Sequence, residues 1–174
     1  LEDNPCYANY YENVPRMRVP SINPYSRNEY REGIFVGYRG YEKYGVKPMF
    51  PFGFGLSYTT FDFKDMKVEA AEGGWNVKVT VVNTGKVAGK DVVQIYVKAP
   101  KGELDKPERE LKGFAKTPQL APGESCELDI FVSRESLASF NEGTSAWEVD
   151  SGNYTFVAAK DAMDNSLKAK VKVD

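Results

Sequence analysis

The stretch Trp75-Asn76-Val77-Lys78-Val79-Thr80-Val81 decides the fold of this chain. Its odd positions are apolar and its even positions are polar, so one side of an extended strand faces a core and the other faces water. The run Cys126-Glu127-Leu128-Asp129-Ile130 repeats the pattern, and Leu167-Lys168-Ala169-Lys170-Val171-Lys172-Val173 repeats it again near the end. These runs predict half-buried strands of an antiparallel sheet.

A second kind of strand is predicted at Val92–Lys98, where consecutive apolar residues indicate a central strand covered on both faces. Glycine, asparagine and proline separate the runs and predict turns. These turns lie at Gly73-Gly74, Asn83-Thr84-Gly85, Pro122-Gly123 and Gly152-Asn153. About seven short strands after Phe61 are typical of an immunoglobulin-like or fibronectin-III-like β-sandwich. A single helical turn is predicted within Ser133–Phe140, with a capping serine at its start.

Residues 1 to about 60 follow a different pattern. They contain most of the tyrosines and six of the ten prolines, which interrupt helices and central strands. Only Gly33–Tyr38 predicts a short strand, followed by a turn of helix over Arg39–Lys43. The region is too aromatic for a solvated linker and too irregular for a domain. We therefore expect an extended arm that packs on another surface, with residues 1–30 mobile in the isolated chain.

Composition excludes several functional classes. A net charge of -2 and a pI near 5.4 argue against binding of nucleic acid, which requires a basic face. No apolar run approaches the roughly 20 residues of a membrane span, and the polar start does not predict a signal peptide. The lack of histidine excludes Ser-His-Asp and Cys-His catalysis and most zinc sites. Cys6 and Cys126 are interpreted as separate thiols, although a disulfide between them stays open.

Carboxylates and glycines that could carry chemistry are better explained by local structure. Glu127 and Asp129 project from the wet face of one strand, where they do not flank a substrate as glycosidase carboxylates must. Gly53-Phe54-Gly55 lacks the residues of a phosphate loop and predicts a backbone bend between two buried aromatic side chains. The acidic run Asp161, Asp164, Asn165 lacks the pattern of a calcium loop and predicts a hairpin turn.

Aromatic residues leave one open question about sugar binding, since sugar rings stack on aromatic faces. Trp75 lies on the apolar side of its strand and is interpreted as core, whereas Trp147 lies in a loop before a strand. Sugar contact by Trp147 or by the tyrosines of the arm stays an alternative. The glycosylation pattern Asn153-Tyr154-Thr155 is discounted, because Tyr154 alternates with Phe156 as strand core.

Two runs in the first third of the chain closely resemble family 3 glycoside hydrolases of the β-glucosidase type. The first is Glu32-Gly33-Ile34-Phe35-Val36-Gly37-Tyr38-Arg39, and the second is Pro51-Phe52-Gly53-Phe54-Gly55-Leu56-Ser57-Tyr58-Thr59-Thr60-Phe61. The sandwich that follows is similar to the fibronectin type III-like domain of that family. Further matching segments are Asn83-Thr84-Gly85, Val92–Val97, Glu110–Phe114 and Leu120–Ser125.

The resemblance implies that residues 1–58 are the C-terminal tail of an α/β sandwich domain and that residues 59–174 are the fibronectin-like domain. Enzymes of this family take an aspartate nucleophile from a barrel domain, within a Ser-Asp-Trp-like motif, and a glutamate acid/base from the α/β domain. Neither motif occurs in this chain. We therefore expect no catalytic, metal or cofactor residue here. The expected partners are the barrel and the α/β domain of a parent enzyme that removes terminal β-linked sugars, braced by the sandwich.

Two alternatives remain open at this point. The first is a free-standing module for carbohydrate binding or adhesion, since such sandwiches often serve that way. It predicts an exposed aromatic platform around Trp147. The second is a subunit that completes an active site on a separate chain, which the aromatic arm would suit.

Overall fold

A computed structural model describes residues 32–174 of the chain. The chain divides into two compact units, of which the first ends at Phe50 and the second comprises Pro51–Asp174. The predictions for residues 1–31, including their mobility and the state of Cys6, lie outside the described residues. The domain boundary predicted between residues 58 and 59 stays a prediction.

The first unit contains one short helix, α1 (Tyr38–Lys43), close to the predicted turn of helix. The strand predicted at Gly33–Tyr38 is wrong: the residues before the helix form a turn and an irregular segment. The reason is the backbone of Gly33 and Gly37, whose φ angles of 57° and 60° are incompatible with an extended strand.

The second unit is an antiparallel β-sandwich, as predicted, with seven strands in two sheets among the described residues. The strands of the sandwich are β1 (Phe61–Ala71), β2 (Gly74–Asn83), β3 (Val92–Lys98), β4 (Glu110–Lys116), β5 (Ser125–Ser133), β8 (Gly152–Ala159) and β9 (Leu167–Val173). One sheet has three strands in the order β1-β2-β5, and the other has four in the order β4-β3-β8-β9. The predicted bounds of β3 and β9 are confirmed.

The core lies between the two sheets and follows the alternation read from the sequence. Val77, Val79 and Val81 of β2 are fully buried, as are Ile95 of β3 and Phe156 of β8. Burying each of these side chains stabilises the fold by roughly 1.5–3 kcal/mol. Trp75 is confirmed as core: it is 8% exposed, and its ring meets that of Phe156 edge-on at 5.9 Å between centroids.

The single helical turn predicted within Ser133–Phe140 is present as a 3-10 turn over Glu135–Leu137, and Ser133 Oγ accepts a hydrogen bond from Ser136 N (3.2 Å). The turn ends before the predicted stretch does, because Ala138 adopts extended angles (φ -66°, ψ 145°). The following residues pair in a separate two-stranded ribbon, β6 (Ser139–Asn141) with β7 (Ala146–Glu148). Pairing of Phe140 with Trp147 across this ribbon competes with the helix for the same backbone.

No helix among residues 32–174 is long and apolar enough to cross a membrane.

Candidate functional site

The segment before the sandwich is attached to it by a buried asparagine. Asn83, at the end of β2, is fully buried and uses its whole side-chain amide. Its Oδ1 accepts hydrogen bonds from Thr59 Oγ1 (2.7 Å) and from Gly85 N (3.0 Å). Its Nδ2 donates to the carbonyls of Val87 (2.9 Å) and Leu120 (2.8 Å). Since an amide offers two donors and an acceptor with two lone pairs, the group is fully satisfied.

The chain on either side of this attachment exposes apolar side chains. Thr59 is only 7% exposed, yet Tyr58 is 99% exposed and Leu56 is 93% exposed. Exposed leucine and tyrosine side chains next to a hydrogen-bonded backbone are typical of a contact surface rather than of a solvated loop. We call residues 54–58 the apolar segment.

A cleft of about 560 Å³ lies beside the apolar segment. Its lining includes the apolar side chains of Phe54, Leu56 and Phe61 and the cationic side chains of three lysines. The lysines are Lys90, Lys116 and Lys160. The Lys160 ammonium donates a hydrogen bond to the carbonyl of Phe61, so this lysine also holds the start of β1.

The two carboxylates at the cleft, those of Asp91 and Asp161, hydrogen-bond to the local backbone. Asp91 Oδ1 accepts a hydrogen bond from Val92 N at the start of β3 (2.9 Å). Asp161 Oδ1 accepts from Met163 N (2.8 Å) and from Asp164 N (3.1 Å), as in an Asx turn. These contacts give both carboxylates a role in local backbone structure.

The other carboxylate pair considered in the sequence lies elsewhere. Glu127 and Asp129 project from the exposed outer face of the three-stranded sheet, as predicted. They pair in register with Thr80 and Lys78 of β2. This arrangement fits a solvated charged face.

β3 is buried on both faces, as predicted, and a polar network that the sequence did not predict lies on its outer side. Gln94 and Tyr96 lie on the side of β3 that faces away from the core, yet they are 4% and 0% exposed. Tyr96 donates its hydroxyl to Gln94 Oε1 (2.7 Å), and Gln94 Nε2 donates to the carbonyl of Lys160 (2.7 Å). The guanidinium of Arg109 lies 5.4 Å from the centre of the Tyr96 ring.

Gly53 fits directly against this network. Its φ of 91° and the hydrogen bond from Phe54 N to Pro51 O (3.0 Å) form the predicted backbone bend. A methyl group at Gly53 would lie 2.1 Å from Gln94 Nε2, so only glycine fits there. The prediction that the flanking aromatic side chains are buried is wrong in this chain, because Phe52 and Phe54 are about half exposed.

The predicted turn at Asp161–Asn165 joins β8 to β9. Burial alone would raise the pKa of the Asp164 carboxyl, but hydrogen bonds from the backbone of Lys160 and from Ser166 outweigh burial and hold that pKa below its ordinary value. The carbonyl of Asp164 accepts a hydrogen bond from Arg109 Nη1 (2.6 Å), which links the turn to the network around Tyr96. No cluster of potential metal ligands occurs among residues 32–174.

Trp147 lies on the β6–β7 ribbon rather than in a loop. It is 72% exposed, and its ring meets that of Phe140 edge-on at 5.5 Å between centroids. Phe140 is itself 47% exposed, so the two rings form an open aromatic surface. This is the feature that the alternative of a carbohydrate-binding module predicts.

Two remaining residues behave as ordinary parts of the fold. Tyr154 is 1% exposed and donates its hydroxyl to the carbonyl of Asp150 (3.0 Å), in line with its interpretation as strand core. Cys126 is a free thiol. Burial, with the nearby charge of Glu124, raises the pKa of this thiol and so disfavours its reactive thiolate form.

Comparison with known proteins identifies what this architecture is similar to. The fibronectin type III-like domain family matches residues 91–162. Thermostable beta-glucosidase B of Acetivibrio thermocellus is 39% identical over the whole chain, which covers 22% of that relative. The probable beta-glucosidase I of Aspergillus oryzae is also 39% identical over the whole chain. The chain therefore spans about a fifth of the length of the curated relatives it matches.

A solved structure agrees with these relatives. The Bifidobacterium adolescentis GH3 β-glucosidase has a TM-score of 0.85 and 33% identity, with 99% of this chain and 24% of that chain covered. The resemblance stated from the runs at Glu32–Arg39 and Pro51–Phe61 is confirmed. This chain corresponds to the part of a family 3 glycoside hydrolase of the β-glucosidase type that contains the fibronectin type III-like domain.

Proposed function

We propose that this chain is the non-catalytic C-terminal portion of a β-glucosidase-type hydrolase, and that its sandwich braces the domains that carry catalysis. Those domains are a barrel and an α/β sandwich, and the parent enzyme removes terminal β-linked sugars. The lack of histidine and of the two catalytic motifs of the family in this sequence supports the non-catalytic role.

The observation that carries the proposal is the anchored apolar segment. Leu56 and Tyr58 stand almost wholly in water, while Thr59 beside them is bound to the buried amide of Asn83. A flexible tail could fold its apolar side chains back on the sandwich, but this anchored segment holds them outward. Exposed apolar side chains on a fixed backbone favour a permanent partner surface, since exposure to water costs roughly 25 cal/mol per Å² of apolar area.

The cleft beside the apolar segment extends the proposed contact. Phe54 and Leu56 line one of its sides, and Lys90 and Lys116 line another. Interfaces between domains of one chain combine an apolar centre with a polar rim in the same way. We therefore assign the cleft to domain packing and not to substrate.

The test uses two substitutions in two proteins. Leu56→Asp and Tyr58→Asp are made in the 174-residue chain and in the complete enzyme encoded by the same reading frame. In the chain alone, both variants keep the thermal midpoint of the unsubstituted chain, because both side chains are already exposed. In the complete enzyme, each variant loses about 2 kcal/mol or more, because a carboxylate is transferred into an apolar contact. Thermal unfolding and hydrolysis of an aryl β-glucoside report the two effects.

Phe131→Asp provides the matched control, because Phe131 is a half-exposed aromatic residue on the outer face of the three-stranded sheet. It should have a similar, small effect in both proteins. If the Leu56 and Tyr58 variants of the complete enzyme are as stable as the unsubstituted enzyme, the bracing role is contradicted. A reading frame without a glycosidase domain upstream would contradict the parentage itself.

A further inference from the structure

The β6–β7 ribbon presents its aromatic residues and its polar residues on opposite faces. Phe140 pairs directly with Trp147 across the two strands, so both rings project from one face. The neighbouring cross-strand pair of Ser139 with Glu148 therefore lies on the other face. The result is a small aromatic platform, formed by Phe140 and Trp147, at a distance in sequence from the apolar segment.

The opposite face of the ribbon holds this platform rigid. Glu148 accepts hydrogen bonds from Asn141 Nδ2 (3.0 Å) and from Thr144, which tie β7 to β6 and to the connecting loop. These bonds keep the pKa of the Glu148 carboxyl below its ordinary value. The edge-on contact with Phe140 fixes the tryptophan ring while 72% of its side chain stays in water. A preorganised aromatic surface loses little conformational entropy on binding.

Charge around the platform restricts the ligand. Glu148 lies on the opposite face of the ribbon, and Asp150 beyond β7 is paired with Lys106 at 2.6 Å. Residues 139–148 include Glu142 and no lysine or arginine, so nucleic acids and anionic lipid surfaces meet no counter-charge on the ribbon. A neutral ligand with an apolar face suits an open tryptophan ring, and a β-linked glucose unit has this chemistry.

We propose that Phe140 and Trp147 form an auxiliary sugar-binding platform, in which the open face of Trp147 stacks on a glucosyl unit of neutral β-gluco-oligosaccharides and Phe140 supports the tryptophan ring edge-on. The identification of the sugar rests on the proposed function, whereas the platform rests on the geometry of the ribbon. Binding through one open ring without an enclosing pocket is weak, with half-saturation on the order of 1 mM. The platform raises the local concentration of chains that the catalytic domains shorten.

The fluorescence of the complete 174-residue chain tests the proposal directly. The chain has two tryptophans, and Trp75 is buried, so Trp147 is the one that a sugar in solution reaches. Titration with cello-oligosaccharides should shift and saturate the tryptophan emission. Ligand-observed NMR measures the same affinity without relying on fluorescence. Trp147→Ala should weaken binding at least tenfold, and Trp147→Phe should restore part of it, because a smaller aromatic face is retained.

Phe114→Ala is the matched control, since Phe114 is an aromatic residue of similar exposure, 70%, on β4 of the four-stranded sheet. The affinity of this variant for cello-oligosaccharides should equal that of the unsubstituted chain. An unchanged NMR response in Trp147→Ala, or no response of the parent chain at tens of millimolar sugar, would overturn the platform. Neither result would alter the expected stability loss of the Leu56 and Tyr58 variants in the complete enzyme, so the two proposals fail independently.

Discussion

The two sheets of this sandwich share one core but differ on their outer faces. The three-stranded sheet turns Lys78, Glu127 and Asp129 to water, with Lys78 paired to Glu69 at 2.7 Å. The four-stranded sheet carries Gln94, Tyr96 and two small apolar residues of β8 on its outer face, and all four are buried. The residues of β8 are Val157 and Ala159.

This difference teaches that alternation along a strand has opposite meanings in the two sheets. In β2 and β5 the positions that alternate with the core are solvated, so they tolerate change. In β3 and β8 the alternate positions belong to a second packed layer, which includes Gly53 and Arg109. The outer face of the three-stranded sheet is therefore solvated, whereas the centre of the other outer face is covered by residues of the same chain.

The largest expected effect comes from removing the central ring of the packed face. Tyr96→Ala should lower the free energy of unfolding by about 3–5 kcal/mol, because it opens a cavity and leaves Gln94 Oε1 without its donor. Phe131→Ala on the open face should cost less than about 1 kcal/mol, since that ring is half exposed already. Urea unfolding of both variants measures the difference. Equal losses would mean that the two outer faces are energetically alike.

A smaller effect should follow from adding one methyl group at the bend. Gly53→Ala should cost about 2–3 kcal/mol, from strain at a positive φ and from the collision with Gln94. Gly123→Ala has a similar φ of 78° but open space around it, and should cost about 1 kcal/mol. Thermal unfolding of the Gly53→Ala and Gly123→Ala variants separates the cost of the positive φ from the cost of the collision with Gln94. If both variants are equally stable, Gly53 does not pack on the network.

Acid should weaken the packed face through Asp164. Its pKa is held below the ordinary value, so its contribution to stability is fully present above the pKa of the unfolded chain, about 4, and is lost as pH falls through the lower folded value. Asp164→Asn should be less stable than the parent at neutral pH, by less than Gly53→Ala, and the gap should close in acid. Denaturant midpoints between neutral and acid pH measure this, with Asp129→Asn on the open face as control. A gap that stays constant with pH would contradict the assignment.

The smallest effect belongs to the open face. Lys78 is bound to Glu69, and this contact raises the pKa of the lysine, but both groups are in water. Exposed pairs of this kind often contribute nothing measurable, and salt screens them. Lys78→Ala should leave the thermal midpoint of the chain unchanged, with or without added salt. A clear loss at low salt would show that the charged face contributes more to stability than its exposure suggests.

Much of the fold could be predicted because buried positions of a strand are apolar and recur at regular spacing, and that record can be read from the sequence. The bounds of β3 and β9 and the core position of Trp75 follow from that record. The strand expected at Gly33–Tyr38 failed because three apolar residues lie between glycines with positive φ, which apolar character alone does not reveal. The ribbon of β6 and β7 was missed because a strand of three residues is too short to show the two-residue alternation more than once.

The candidate sites were predicted unevenly for a related reason. Exposure of Trp147 depends on which residues cover it in space, and the sequence supports a core position and an open one equally well. The hydrogen bond from Gln94 to Lys160 joins residues 66 positions apart, so no local sequence pattern predicts it. The resemblance of Pro51–Phe61 to family 3 enzymes identified that stretch as important, but its exposed apolar side chains emerge only from the fold.

The amide of Asn83 also determines how the sandwich can be moved between proteins. Its four hydrogen bonds join three stretches of chain, and one of those stretches, at Thr59, precedes the first strand. A domain transplanted from residue 61 onward would keep every strand of the sandwich but lose one hydrogen-bond partner of a fully buried amide. Recombination between related enzymes is therefore safest upstream of Ser57, where the crossover leaves the amide and all its partners on one inherited piece.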